Sequence, residues 1–229
     1  MRINNFCPAK AILNDTTGTL VKGAYDDPTT RIGLILGTGC NGAYIEKKEN
    51  VIRWGSAKPE DFTEVIIDPE FGAFGDNGCI DFIKTDFDRK VNEESLLPDS
   101  FTFEKYFAGK YIGDILRHAL LGLHEEGLFC EGQKTDLLRP QESIACADIS
   151  AIEGDDGTDM AASLLKRLGL GYSEDDLKIV RFVCSLLSHR GALLVGITLA
   201  VLVERSKMQV SKTGHSLKYN FQHQRWLLP

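Results

Sequence analysis

Five residues in the first half of the chain have side chains suited to a polyhydroxylated ligand: Asn14, Asp15, Asn41, Glu70 and Glu104. Carboxylates accept hydrogen bonds from hydroxyls, and carboxamides both donate and accept. One carboxylate of such a set can also act as general base on the hydroxyl that reacts. Each residue falls at or near an expected loop or element end, where functional polar groups concentrate. Taken singly, each reads better as a cap, a turn former or a solvated charge than as a ligand; Asp15 ahead of Thr16-Thr17-Gly18 fits a turn aspartate.

The second candidate is the glycine turn Gly37 to Gly42, GTGCNG. Its letters satisfy G-x-G-x-x-G, and Glu60 or Asp61 supplies the acid that a dinucleotide fingerprint wants about twenty residues on. That fingerprint needs a helix directly after the turn, so that its amides face a pyrophosphate. Here AYIE follows, which reads as strand. A glycine turn between two strands can still cradle a phosphate through successive backbone N–H groups, with the Thr38 hydroxyl beside it. A plain hairpin turn that uses glycine for positive φ remains the alternative.

The elements that must position these groups change character along the chain. Asn14 to Gly18 reads as a polar turn and Asp26-Asp27-Pro28 as a loop. Arg31 to Leu36 is expected to be a buried strand, the glycine turn follows, and Ala43 to Glu46 extends again as a hairpin. Trp54 to Asp61 is polar and irregular, and Glu64 to Ile67 suggests another strand. From Ile80 to Val91 the apolar residues recur at helical spacing. A loop with Pro98 follows, then helical material from Phe103 to Leu123, interrupted at Ala108-Gly109. Beyond Pro140 come a helix over Asp159 to Leu168, a turn at Gly169 to Tyr172, and a long helix from about Glu174 to Glu204. Strands first and helices afterwards predict a mixed α/β chain. Ser206 to Pro229 loses periodicity and is expected to be loosely held.

Composition narrows the function class. The 229 residues are 43% hydrophobic and 26% charged, ordinary globular values. A net charge of −7 argues against nucleic-acid binding, which needs a basic face. Six cysteines without C-x-x-C pairs or nearby histidines fit reduced thiols in a cytoplasmic protein better than a metal site or disulfides. Met1 to Lys10 lacks the apolar core of a signal peptide. The most apolar stretch, Gly191 to Val203, is shorter than the roughly 20 residues a membrane span requires, so a buried core helix is expected there and no span.

Four segments together resemble the hexokinases, the ATP-dependent sugar kinases that include glucokinase. NDTTGTL (Asn14 to Leu20) resembles the family's catalytic-aspartate turn, and IGLILGTGCNGAYIE (Ile32 to Glu46) its second phosphate motif. PEFGAFGDNGCIDFIKTDFDR (Pro69 to Arg89) and FEKYFAGKYIGDILR (Phe103 to Arg117) are similar to family segments in the same order. The resemblance runs from Ile12 to Arg205. It implies an actin-like ATPase, ribonuclease H-like lobe of α/β class, with a mixed sheet and helices largely C-terminal. It also implies phosphorylation of glucose or another hexose to the 6-phosphate, the first step of glycolysis, using ATP and Mg²⁺. Asp15 would then be the general base, and Asn14, Asp15, Asn41, Glu70 and Glu104 would bind the sugar. Thr38 and Gly39 would touch ATP phosphates, while Gly109, Lys110 and Ser150 would lie on the nucleotide side.

The chain also departs from the family pattern. Cys146 stands where the family has a threonine, Asp68-Pro69 where it has Asn-Thr, and Phe71 where it has tryptophan. The first phosphate loop, the small-domain Ser-Phe-Pro segment and the Thr-Lys sugar contacts find no counterpart. The resemblance thus assigns residues 12–205 to an incomplete large domain. Met1 to Ala11 and Ser206 to Pro229 read as divergent ends. Sugar kinases of this kind close a small lobe over the sugar to exclude water. Half of that clamp is expected to give little or no sugar-kinase activity by itself. The competing expectation is an impaired fragment that acts as a sugar-binding or regulatory module.

Overall fold

The computed structural model describes residues 12–53 and 61–206, and the backbone of the last helix to Val210. The expectations for Met1 to Ala11, for most of Trp54 to Asp61 and for most of the C-terminal tail lie outside the described residues. Two compact units emerge. Among the described residues the first draws on 12–35, 42–53, 61–69 and 203–210, and the second on 36–41 and 70–202.

The first unit opens with helix α1, Asp15–Asp26. The expected polar turn at Asn14 to Gly18 is therefore a helix start. The Asn14 side chain accepts from the amides of Thr16 and Thr17, capping donors that the first turn leaves unpaired. The helix buries Thr16, Leu20 and Gly23, a face too polar and small to register as apolar periodicity. Strand β1 (Ile32–Leu36) begins in this unit. A Cβ on Gly33 would lie 2.8 Å from the Leu20 backbone nitrogen, so glycine allows β1 to touch α1 there. Strands β2 (Cys40–Lys47) and β3 (Glu64–Ile67) complete a sheet of order β1-β2-β3. β2 runs antiparallel to β3, with Tyr44 opposite Ile67 and Lys47 opposite Glu64. Arg31 pairs with Glu64 at 2.6 Å, and Arg205 reaches the buried Glu46 at 3.1 Å.

The second unit is helical. In chain order it contains α2 (Asp86–Glu94), α3 (Thr102–Lys105), α4 (Ile112–Glu125), α5 (Cys146–Glu153), α6 (Asp159–Arg167) and most of α7 (Glu174–Val210). Its core gathers Leu116 and Leu120 of α4, Ile149 and Ile152 of α5, Leu164 and Leu165 of α6, and Val180 and Cys184 of α7. The helical run expected from Ile80 starts later. Thr85 and Asp88 form a capping box that fixes the first turn at Asp86, and only a 3-10 turn, Asp81–Ile83, precedes it. Arg190 of α7 donates to both oxygens of the buried Asp88, at 3.0 and 2.8 Å, and to the Tyr106 carbonyl at 2.6 Å.

α7 corrects the reading of its apolar stretch. Leu193, Ile197 and Val201 are exposed, as are Phe182 and Leu186 before them, so Gly191 to Val203 is not a buried core helix. Over Glu174–Ser206 the helix is long and apolar enough, by length and composition alone, to cross a membrane. Among the described residues the five cysteines are free thiols.

An ionic cluster of the buried Arg117 and His118 with the exposed Glu94 ties α2 to α4. His118 Nε2 lies 3.1 Å from Glu94 Oε2 and 3.0 Å from Arg117 Nη2. Burial and the Arg117 charge hold the His118 pKa below 6.5, outweighing its hydrogen bond to Glu94. Burial would raise the Glu94 pKa, but its bond from His118 and the charge of Arg117 bring it below the usual value. Both groups bind protons more readily in the unfolded chain, so stability falls with acidification. The loss begins as pH drops below about 6.5, where unfolded histidine protonates, and deepens through the carboxylate range. Urea midpoints measured from pH 8 downward should show this. In His118→Gln the upper part of the slope should flatten, and an unchanged slope would remove His118 from the account.

Candidate functional site

In the first unit, Asn14 and Asp15 sit at the exposed N-terminus of α1. Asp15 Oδ1 accepts from the Thr16 amide at 2.8 Å and the Thr16 hydroxyl at 3.4 Å, so one carboxylate oxygen fixes the orientation of the group. Thr17 donates its hydroxyl to Asp68 Oδ2 at 3.3 Å. The altered Asp68 is thus tied into the helix turn that bears Asp15.

In the second unit the glycine turn is tighter than expected. Gly37 N–H donates to Gly39 O at 2.9 Å, and β2 already begins at Cys40, so Asn41 is a buried strand residue rather than a turn residue. A strand, not a helix, follows the turn, which removes the dinucleotide reading. The segment before α4 is pinned to the turn: Gly109 N–H donates to Gly37 O at 2.9 Å and Lys110 N–H to Thr38 O at 3.1 Å. A Cβ on Gly109 would lie 2.8 Å from that Gly37 oxygen. These amides are committed to the fold. The side chains of Thr38 and Lys110 are exposed at this corner.

Glu104 is the centre of the arrangement. It sits on α3, a single turn, half-buried, and its Oε2 accepts the Cys40 N–H at 3.1 Å. Burial raises its pKa. The Cys40 amide and the charges of Lys105 and Lys110 pull the other way, and Glu70 raises it further. Glu70 opens the neighbouring segment in a left-handed conformation, φ 50°. The structure therefore brings Glu70, Glu104 and Lys110 together with the glycine turn, within one unit. Behind them Phe71 packs edge-on against Phe103 at 6.0 Å, and Phe103 against Phe107 at 5.1 Å.

Gly72 escaped the sequence reading, and Gly39, expected at the ATP phosphates, has a second part here. Cβ atoms on Gly39 and Gly72 would come within 2.5 and 2.9 Å of Glu104 Oε2, so both glycines make room for the carboxylate. The glycine-rich run after Glu70 was the available signal. Ser150 is exposed on α5, one turn after Cys146. The Cys146 Sγ would lie 3.7 Å from a Cβ on Gly109, which puts these two residues beside the same corner. Burial raises the Cys146 thiol pKa.

Gly39→Ala tests the geometry. Its methyl meets the end of a flexible side chain, so Glu104 swings off the Cys40 amide while the backbone keeps its course. Thermal stability should fall by about 1 kcal/mol, the worth of one hydrogen bond. Any ligand held by Glu104 should bind about tenfold more weakly. Calorimetry beside a thermal melt separates the two effects.

A family model described as hexokinase matches residues 31–225. Among curated proteins, hexokinase-3 of Rattus norvegicus is 39% identical over 196 residues, covering 85% of this chain and 21% of that protein. Hexokinase-1 of Homo sapiens is 38% identical, with the same coverage of each. A solved hexokinase from Schistosoma mansoni, complexed with glucose, aligns with TM-score 0.80 at 33% identity over 86% of this chain and 45% of that one. A second hexokinase structure aligns with TM-score 0.74 at 23% identity, over 93% of this chain and 44% of its own; it bears on the fold alone. The chain thus spans about a fifth of the length of the curated relatives it matches.

Proposed function

This chain belongs to the hexokinase family, and from that premise we propose that it serves ATP-dependent phosphorylation of glucose or another hexose at the primary hydroxyl. Its actin-like α/β fold, with helices mostly C-terminal, is the one the resemblance implies. In this reading Asp15 takes the proton of the attacking hydroxyl, held in place by Thr16. Asn14 donates and accepts at the sugar, as does Asn41. Glu70 and Glu104 accept from ring hydroxyls, and a sugar lacking or inverting the hydroxyl that Glu104 meets leaves that half-buried carboxylate short of a donor.

Phosphoryl transfer is mostly positioning and charge stabilisation, with Mg²⁺ arriving on the nucleotide and spreading the charge of its phosphates. On the nucleotide side the exposed Thr38 hydroxyl and Lys110 ammonium meet the phosphates. Gly39 and Gly109 shape the corner by their lack of side chains, and Ser150 lines its flank. The whole construction is assigned to the domain spanning residues 12–205.

The observation that carries the reading is Glu104: a half-buried carboxylate fixed by the Cys40 amide, with the charge of Glu70 close by, next to the glycine turn. Calorimetric titration of the chain with glucose, and with sorbitol as the open-chain control, tests it. Glucose should bind saturably and sorbitol should not. Glu104→Gln should weaken glucose by about 10- to 100-fold, the worth of a charge-assisted hydrogen bond. Equal affinity in the variant would overturn the assignment.

A further inference from the structure

Glu104 sits on a helix too short to hold it. α3 has four residues, and its first turn leaves its amides without partners inside the helix. The residue that caps it, Phe101, is itself left-handed, with φ 55° and ψ 44°, and makes no side-chain cap of its own. Such a conformation is unfavourable for a bulky side chain. Something outside the helix has to hold this corner.

That support is a carboxylate 25 residues earlier in the chain. Asp76 Oδ2 accepts the Phe101 amide at 3.1 Å, and its Oδ1 accepts the Thr102 amide at 2.8 Å. One side chain thus holds the two donors on either side of the kink, each through its own oxygen. Asp76 cannot retreat. Gly75 before it has φ +91°, and a Cβ there would lie 2.1 Å from the Ile80 side chain, so the loop backbone is pressed against its neighbour.

The far end of α3 is anchored separately. The buried Lys105 ammonium donates to Asn92 Oδ1 at 2.8 Å and to the Leu97 carbonyl at 2.6 Å. Asn92 Oδ1 in turn accepts the Asp99 amide at 2.9 Å. With both ends fixed, the one free choice left to Glu104 is its own rotamer, which Gly39, Gly72 and the Cys40 amide decide. Burial works against the Asp76 anion, but the Thr102 and Phe101 donors and the Lys105 charge outweigh it and lower its pKa.

We propose that Asp76 is a positioning residue for Glu104: by capping α3 on both sides of the Phe101 kink, it sets the Glu104 carboxylate against the Cys40 amide and so tunes hexose affinity without touching the sugar. The affinity part of this rests on the reading of Glu104 as a sugar ligand; the hydrogen-bond part does not.

The test uses the full chain, labelled for amide detection, in the wild type and in Asp76→Ala, Asp76→Asn and Glu104→Gln. The Cys40 amide proton reports directly on its bond to Glu104. In Asp76→Ala that proton should move to the position of a weaker bond, and glucose affinity should fall about tenfold. Asp76→Asn keeps one acceptor oxygen, so it should fall between wild type and alanine on both readouts; it also carries the test if the alanine variant does not fold. An Asp76 variant that melts earlier, yet keeps the wild-type Cys40 proton and glucose affinity well below its melting point, would reduce Asp76 to a structural residue and overturn the proposal. If Glu104→Gln binds glucose as tightly as wild type, the functional reading fails, while the Cys40 proton still decides whether Asp76 positions Glu104.

Discussion

If Asp15 is the proposed general base, replacing it by asparagine should lower whatever rate of glucose 6-phosphate formation the chain supports by about 10²- to 10⁴-fold, the usual contribution of such a group. The substitution is close to isosteric. Asparagine keeps an oxygen that can accept the Thr16 amide, now bound by Asp15 at 2.8 Å, and the Asn14 cap of α1 does not depend on residue 15. What disappears is a group able to take a proton. The helix also loses a negative charge in its first turn, which is worth only about 0.3–1 kcal/mol. The fold should therefore persist and glucose affinity should change far less than rate. A radiometric assay with labelled ATP, run on the unaltered chain and the variant side by side, is sensitive enough for a slow enzyme. Equal rates in the two, both above the background without protein, would remove Asp15 from the chemistry.

Arg117→Met should be the most damaging single change to the fold, costing about 3–5 kcal/mol. The guanidinium is only 2% exposed and faces Asp114, itself 4% exposed, at 2.7 Å. It also donates to the Arg139 carbonyl at 3.0 Å and pairs with Glu94. Removing it leaves the Asp114 charge buried, with the Glu142 amide at 3.0 Å as its remaining donor. For a chain of this size the melting temperature should fall by about 6–20 °C. Adding Asp114→Asn should return part of the loss, because the stranded charge is then gone. A thermal melt of the two variants checks both statements. A loss below about 1 kcal/mol would place the cluster among surface ion pairs of little worth.

The parts of this architecture that could be read from the letters were those with a strong local signal. Ile32 to Leu36 is an uninterrupted apolar run, and it forms β1. Glu64 to Ile67 forms β3 over the expected residues, and the helix expected over Asp159 to Leu168 ends one residue earlier, at Arg167. Two helices had no such signal. α1 buries a threonine, a leucine and a glycine, so its inner face looks polar on paper, although Asn14 was an available cap. α5 is eight residues long with two buried isoleucines, too short for a period to declare itself. The long apolar segment of α7 misled in the opposite sense, because an apolar sequence does not say what, if anything, covers it.

The same limit governs the candidate site. Residue types and motif order were enough to single out Glu70 and Glu104, which the structure places near each other. That Glu104 leans on the Cys40 amide, in space left by Gly39 and Gly72, depends on segments 64 residues apart in the chain. No local rule carries such a contact. Asp76 lies within one of the family-like segments, yet its bonds to the Phe101 and Thr102 amides join residues some 25 positions apart, which no local pattern encodes.

The central claim is that this chain holds a hexose through Glu104 and its companions. A glucose titration of the labelled chain, followed by amide chemical shifts, tests it most directly. Saturable shifts at the Cys40 amide, at the Asn41 side chain and at the Glu70–Phe71 backbone, absent with sorbitol, are the expected result. Shifts confined to other residues, or none up to high millimolar glucose, would contradict it.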